Sequence, residues 1–214
     1  MGKIESANPY RMEACVVSLS QALQAQQSGA DRIEICAHLE TGGMTPDLNL
    51  VLELYNQLTI PIRVMIRETE DGFEADESVL EKMLQAIDEF KEIPIDGFVI
   101  GVMKNNRVDK EAIKRIVKHC FPFPITFHKA LDESCELFED VLWINAFRQI
   151  DTILTSGAAI KAGDGAEKIL AMKSIFNGDI MGGGKILPHQ LKSLDELLGL
   201  SWYHGRGIVG ELGK

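Results

Sequence analysis

Short apolar runs rich in β-branched residues alternate along this chain with longer stretches whose apolar positions recur at helical spacing. That alternation predicts repeated βα units around a parallel sheet. The apolar runs are Met12–Val17, Arg32–Cys36, Ile62–Arg67, Asp96–Gly101, Pro124–Lys129, Thr152–Ser156, Asp179–Gly182 and Ser201–Gly205, and their starts lie 20 to 34 residues apart. Each gap has room for one helix and for no second domain. Ser18, Thr45-Pro46, Asp76 and Asp109 stand where helix N-caps are expected. Eight such units with no Rossmann glycine fingerprint predict a single closed parallel (β/α)8, TIM-type barrel.

The two ends of the chain modify this picture. Residues 1–11 read as an appended or disordered lead, which leaves 12–214 as one barrel domain. After the last predicted strand only Arg206 to Lys214 remain, and Gly207, Gly210 and Gly213 among them predict a missing or shortened last helix. An uncovered apolar flank beside the first and last strands calls for a homodimer, or for the Ile208-Val209 tail folding over it.

Acidic side chains outnumber basic ones 32 to 22, for a net charge of −10, which argues against nucleic acid as a partner. No apolar run has the length of a membrane span and the N-terminus has no apolar signal core, so a cytoplasmic protein is expected. Cys15, Cys36, Cys120 and Cys135 show no CxxC spacing and read as free thiols. Asp31, Asp96, Asp151 and Asp179 open or precede strands, where they are expected to cap helices or pair with lysine at the bottom of the sheet.

Strand alternation then sorts the candidate chemistry. If Ile33 and Ile35, Val64 and Ile66, and Ile125 and Phe127 face the helices, the barrel interior receives Glu34, Cys36, Arg63, Met65, Arg67, Thr126 and His128. Glu13 and Cys15 on the first strand, and Trp202 and His204 on the last, join them. An interior of this type ordinarily carries Val, Ile and Leu, and unpaired charges there cost several kcal/mol, so the polar group must pair internally or meet a ligand. Two readings stay open. In one, Cys15 and Cys36, with Met65 or His128 assisting, converge on a soft cation, for which copper(I) is the obvious candidate. In the other, the barrel is an enzyme acting on a small metabolite, phosphorylated or not. Arg67 would orient that substrate and Glu34, His128 or His204 would move protons, with Glu13, Gly183, Gly184 and Arg206 on the ligand side. Gly182-Gly183-Gly184-Lys185 is not a P-loop, because Asp179 stands where that pattern needs glycine.

Read in order, Glu13-Ala14-Cys15, Gly29-Ala30-Asp31-Arg32-Ile33-Glu34-Ile35-Cys36, Gly42-Gly43-Met44-Thr45-Pro46, Val64-Met65-Ile66-Arg67, Gly97-Phe98-Val99-Ile100-Gly101, Thr126-Phe127-His128-Lys129-Ala130, Ile153-Leu154-Thr155-Ser156-Gly157, Gly182-Gly183-Gly184 and His204-Gly205 closely resemble the CutC copper homeostasis family. The resemblance spans nearly all of residues 12–205 and implies a cytoplasmic barrel associated with copper, with Cys15 and Cys36 the cysteines most like the family's. The chain departs from the family pattern at Glu68-Thr69-Glu70, Lys129, Met181 and Arg206. The first of these adds negative charge near the expected site.

Overall fold

A computed structural model describes residues 9–213. Eight strands, β1 (Arg11–Val16), β2 (Arg32–Ile35), β3 (Ile62–Met65), β4 (Gly97–Ile100), β5 (Ile125–Phe127), β6 (Ile150–Thr155), β7 (Asp179–Gly182) and β8 (Trp202–Gly205), close in chain order into a parallel barrel. Seven helices surround them: α1 (Leu19–Gln27), α2 (Leu48–Gln57), α3 (Glu77–Phe90), α4 (Lys110–Cys120), α5 (Leu137–Ile144), α6 (Ala166–Ile175) and α7 (Leu191–Leu198). The fold is a TIM-type barrel, and no eighth helix follows β8 among the described residues. Residues 1–8 of the expected lead lie outside the described residues, but Tyr10 and Arg11 belong to the barrel: Tyr10 meets Tyr203 edge to face, and the Arg11 guanidinium lies over Trp202.

Local chemistry explains most helix starts. Ser18 accepts from the Gln21 N–H, Asp76 from Val79, and Asp109 from Glu111 and Ala112. The expected cap at Thr45-Pro46 is displaced, because Asp47 caps α2 through the N–H groups of Asn49 and Leu50. Thr45 instead exchanges hydrogen bonds with the backbone of Arg67, which ties the loop after β2 to the end of β3. A short antiparallel hairpin, Met103–Lys104 with Arg107–Val108, follows β4; its turn residues Asn105 and Asn106 both have positive φ.

The core divides as strand alternation requires. Ala14, Val16, Ile33, Ile35, Val64, Ile66, Ile125 and Phe127 pack in one cluster with the helices, whereas Cys15, Cys36, Met65 and Val99 form a separate cluster inside the barrel and Leu154, Met181 and Trp202 another. Of the two expected covers for the flank beside β1 and β8, a second copy of the chain or its own tail, the structure shows the tail packed there. Ile208 is fully buried, Val209 and Leu212 pack on the core, and the backbone of Glu211 and Gly213 bonds to Gln21 and Gln24 of α1.

The bottom of the barrel is held by arginine, not lysine. Arg63 donates to Asp96, to both oxygens of Asp151 and to the hydroxyls of Thr126 and Thr152. Asp31 accepts from the Met12 N–H, and Asp179 lies 4.0 Å from Arg11. These aspartates are structural, and they leave the C-terminal end of the strands for chemistry.

Candidate functional site

Register builds the site. β1 lies between β8 and β2, with Glu13 opposite both His204 and Arg32, and Cys15 opposite Glu34. Glu13 is fully buried, takes a hydrogen bond from Arg32 Nε on one oxygen and lies 2.9 Å from His204 Nδ1 on the other. Burial by itself pushes the Glu13 carboxyl up, but the charge of Arg32 and the bond to His204 outweigh it and bring its pKa down to about 2. His204 moves the other way. Burial disfavours its charge, yet Glu34 and Glu13 together raise its pKa above the ordinary value.

Glu34 has no comparable counterion. Burial raises its pKa, with His204 opposing and Glu13 adding to the rise. Its Oε2 makes no hydrogen bond among the described residues and lies 4.0 Å from His204 Nδ1. The Cys15 thiol is held well above its usual pKa by its contact with Cys36, by burial and by the neighbouring Glu34. Cys15 Sγ and Cys36 Sγ are 3.5 Å apart, and Met65 packs beside them. Cys15 Sγ, an oxygen of Glu34 and a ring nitrogen of His204 lie within 4.8 Å of one another.

Above this floor opens a cavity of about 630 Å³. Leu39, Phe73 and Ile160 give it an apolar wall, and Lys129, Lys185 and Arg206 give it positive charge. His128 also lines it. Its Nδ1 accepts from the Ala130 N–H, which puts the proton of the neutral ring on Nε2, and Nε2 has no partner among the described residues. Burial, reinforced by the charge of Arg67, lowers the His128 pKa to about 3. The ring is thus a donor at neutral pH, and it stands outside the Cys15, Glu34 and His204 cluster.

The other expected site residues are placed as follows. Arg67 gives its guanidinium to the carbonyls of Thr41, Gly43, Glu70 and Gly72, so it fastens the loops after β2 and β3 to each other. The Gly183 N–H donates to the Thr155 carbonyl, while Gly184 and Arg206 reach the cavity. Glu13 lies behind His204 and is away from the cavity lining. Two participants were not singled out from the sequence. Arg32, which anchors Glu13 and stacks on Trp202, shares the parity of Glu34 and was legible on that ground. Phe73 comes from a loop with no period to betray it and packs on His128, with ring centroids 5.0 Å apart.

Fold and site together define a TIM-type barrel that keeps its reactive groups at the C-terminal mouth, where such barrels bind and transform small ligands. Comparison with known proteins narrows the class. The model of the CutC family matches residues 10–209, and the chain belongs to that family. It is 32% identical over 209 residues to the human "Copper homeostasis protein cutC homolog", covering 95% of this chain and 75% of the relative. To the Caenorhabditis elegans protein of the same description it is 29% identical over 218 residues, 99% of this chain and 86% of the relative. The crystal structure of CutC from Streptococcus agalactiae superposes with a TM-score of 0.87 at 24% identity, covering 93% of this chain and 99% of that one, which speaks for the fold alone. No helix among the described residues is long and apolar enough to cross a membrane.

Proposed function

We propose that this protein binds copper(I) in the cytoplasm as part of copper homeostasis, through the thiolates of Cys15 and Cys36 with the Met65 thioether beside them. The observation that carries the reading is the 3.5 Å separation of the two thiols, Cys15 lining an open cavity and Cys36 buried against it. Soft thiolate and thioether ligands select copper(I) over the harder divalent ions. Cys15 is protonated at neutral pH, so binding must release a proton and tighten as pH rises. The four free cysteines, one of them the exposed Cys135, fit a reducing compartment. Anaerobic titration against a coloured copper(I) chelator tests the assignment. In Cys15→Ser/Cys36→Ser, affinity is expected to fall by more than the roughly 100-fold that loss of an outer partner alone costs. Undiminished affinity in that variant would remove the basis of the proposal.

A separate observation favours a second reading, an enzyme acting on a small anionic metabolite. Glu34 Oε2 and His128 Nε2 are buried without partners among the described residues and belong to side chains that line a cavity shared with Lys129, Lys185 and Arg206, in a protein of net charge −10. Thermal shift against sugar phosphates reports on it. A ligand present at about a hundred times its dissociation constant adds about 2.7 kcal/mol, equivalent to roughly 5–10 °C at this chain length. No response across a broad panel of phosphorylated and carboxylated compounds counts against it.

A further inference from the structure

The geometry points to a second metal chemistry at the same mouth: we propose that Cys15, Glu34 and His204 form a site for a borderline divalent cation of the zinc(II) type, with a fourth coordination position open to the cavity. This does not rest on the copper(I) reading, which uses Cys36 and Met65 where this site uses Glu34 and His204. Three features carry it.

The first is the donor set. Cys15 Sγ, a Glu34 oxygen and a His204 ring nitrogen lie within 4.8 Å of one another. Tetrahedral zinc with bonds of about 2.0–2.3 Å needs ligand atoms roughly 3.5 Å apart, so side-chain rotation of about 1 Å closes the set. The second is Glu34 Oε2, which belongs to a residue only 2% exposed and has no hydrogen-bond partner among the described residues. A buried carboxylate oxygen left unmatched is costly, and a cation is the group that matches it. The third is the support behind His204. Its Nδ1 lies 2.9 Å from Glu13, and Glu13 is in turn held by Arg32. A histidine that donates its Nδ1–H to a fixed carboxylate has its orientation set and keeps the Nε2 lone pair for a metal, the usual backing of metal-bound histidine. Nδ1 is the nitrogen that lies 4.0 Å from Glu34 Oε2, so ligation through Nε2 requires the Glu34 side chain to turn toward it.

Charge agrees with this assignment. One thiolate and one carboxylate balance a doubly charged ion. Three protein ligands with the fourth position facing a cavity is the pattern of catalytic zinc, whereas structural zinc has four protein ligands. Lys129, Lys185 and Arg206 on the cavity wall favour an anionic group at that fourth position.

The test uses the full-length chain, stripped with a chelator and titrated under reducing conditions first with cobalt(II), then with zinc(II). A thiolate-to-cobalt charge-transfer band together with strong visible bands of a four-coordinate ion is expected, and zinc should displace both. X-ray absorption of the zinc-loaded wild-type protein should show one sulfur at about 2.3 Å and the remaining neighbours at about 2.0–2.2 Å. This measurement needs no variant to fold. His204→Gln and Glu34→Gln should each weaken zinc by about 100-fold or more, and Glu13→Gln by roughly 10- to 100-fold through loss of orientation. Cys36→Ser should weaken copper(I) and not zinc. Absence of the charge-transfer band, a shell with two sulfurs, zinc affinity unchanged in His204→Gln, or zinc lost with Cys36 would each overturn the assignment.

Discussion

Replacing Arg63 with methionine is expected to destabilise the barrel by about 1–3 kcal/mol, chiefly by leaving the buried Thr126 hydroxyl unmatched, because the Asp96 and Asp151 carboxylates are partly open to water. For a chain of this length that corresponds to a fall in melting temperature of roughly 2–12 °C. Arg63 is 2% exposed, and its guanidinium meets Asp96 at 3.0 Å and Asp151 at 2.9 and 2.7 Å. It also satisfies the buried hydroxyls of Thr126 and Thr152. Methionine fills comparable volume but returns none of these bonds: Asp151 and the Thr126 hydroxyl lose the guanidinium, whereas Asp96 keeps Arg32 at 3.5 Å and Thr152 keeps its bond to Asp151. Arg63→Lys should fall between, because an ammonium cannot make the planar two-point contact with Asp151. Arg115 provides the control: its pairs with Glu77 and Glu81 are exposed, and Arg115→Met should cost no more than about 1 kcal/mol. Urea unfolding of the three variants decides the matter, and an Arg63→Met protein as stable as the Arg115 control would refute the role given to the bottom network. Copper(I) affinity should stay unchanged in Arg63→Met, since the sulfurs lie at the other end of the strands.

Much of this architecture was legible because the helix-facing positions of each strand are consistently apolar. Once Ile33 and Ile35 or Val64 and Ile66 are assigned outward, Glu34, Cys36 and Met65 have nowhere to go but inward. Height along the strands was not legible, because alternation fixes a face and leaves the register open. Only the pairing of Cys15 with Glu34 shows that Cys36 sits two residues above that level and still brings its sulfur to 3.5 Å from Cys15. Arg67 illustrates the opposite case. Its parity is that of Met65, but β3 ends at Met65, and two residues later the side chain follows the loops and bonds to carbonyls. The hairpin after β4 carried a readable signal in Asn105-Asn106, a pair suited to the positive φ that a two-residue turn demands. The tail that replaces an eighth helix had a weaker one, the apolar pair Ile208-Val209 between glycines.

Acid should unfold this protein earlier than its surface carboxylates alone would. His128 is neutral in the fold, where burial and then the charge of Arg67 bring its pKa to about 3, whereas an unfolded histidine titrates near 6.5. Below about pH 6.5 the unfolded chain therefore takes up a proton that the folded chain refuses, and stability falls by about 1.4 kcal/mol per pH unit until the folded value is reached. Glu13 acts over a lower range. Its contribution is complete above the ordinary carboxylate value of 4.5 and is lost as pH drops toward its folded value of about 2. His204 has the opposite sign: its pKa is raised in the fold, so its contribution is full below about 6.5 and is lost only as pH rises through the folded value. These three groups place maximum stability near pH 6.5 and predict a loss of roughly 3–4 kcal/mol by pH 4, most of it from His128. His128→Asn isolates the effect, because asparagine keeps an oxygen that can take over the Ala130 N–H and cap the turn at residues 129–133, but it has no titrating group. Urea unfolding at pH 6.5, 5.5 and 4.5 should then give a slope near zero for the variant and about 1.4 kcal/mol per unit for the parent. A parent profile that is flat over this interval would mean that the His128 ring takes up its proton inside the fold, and the donor role given to its Nε2 would have to be abandoned.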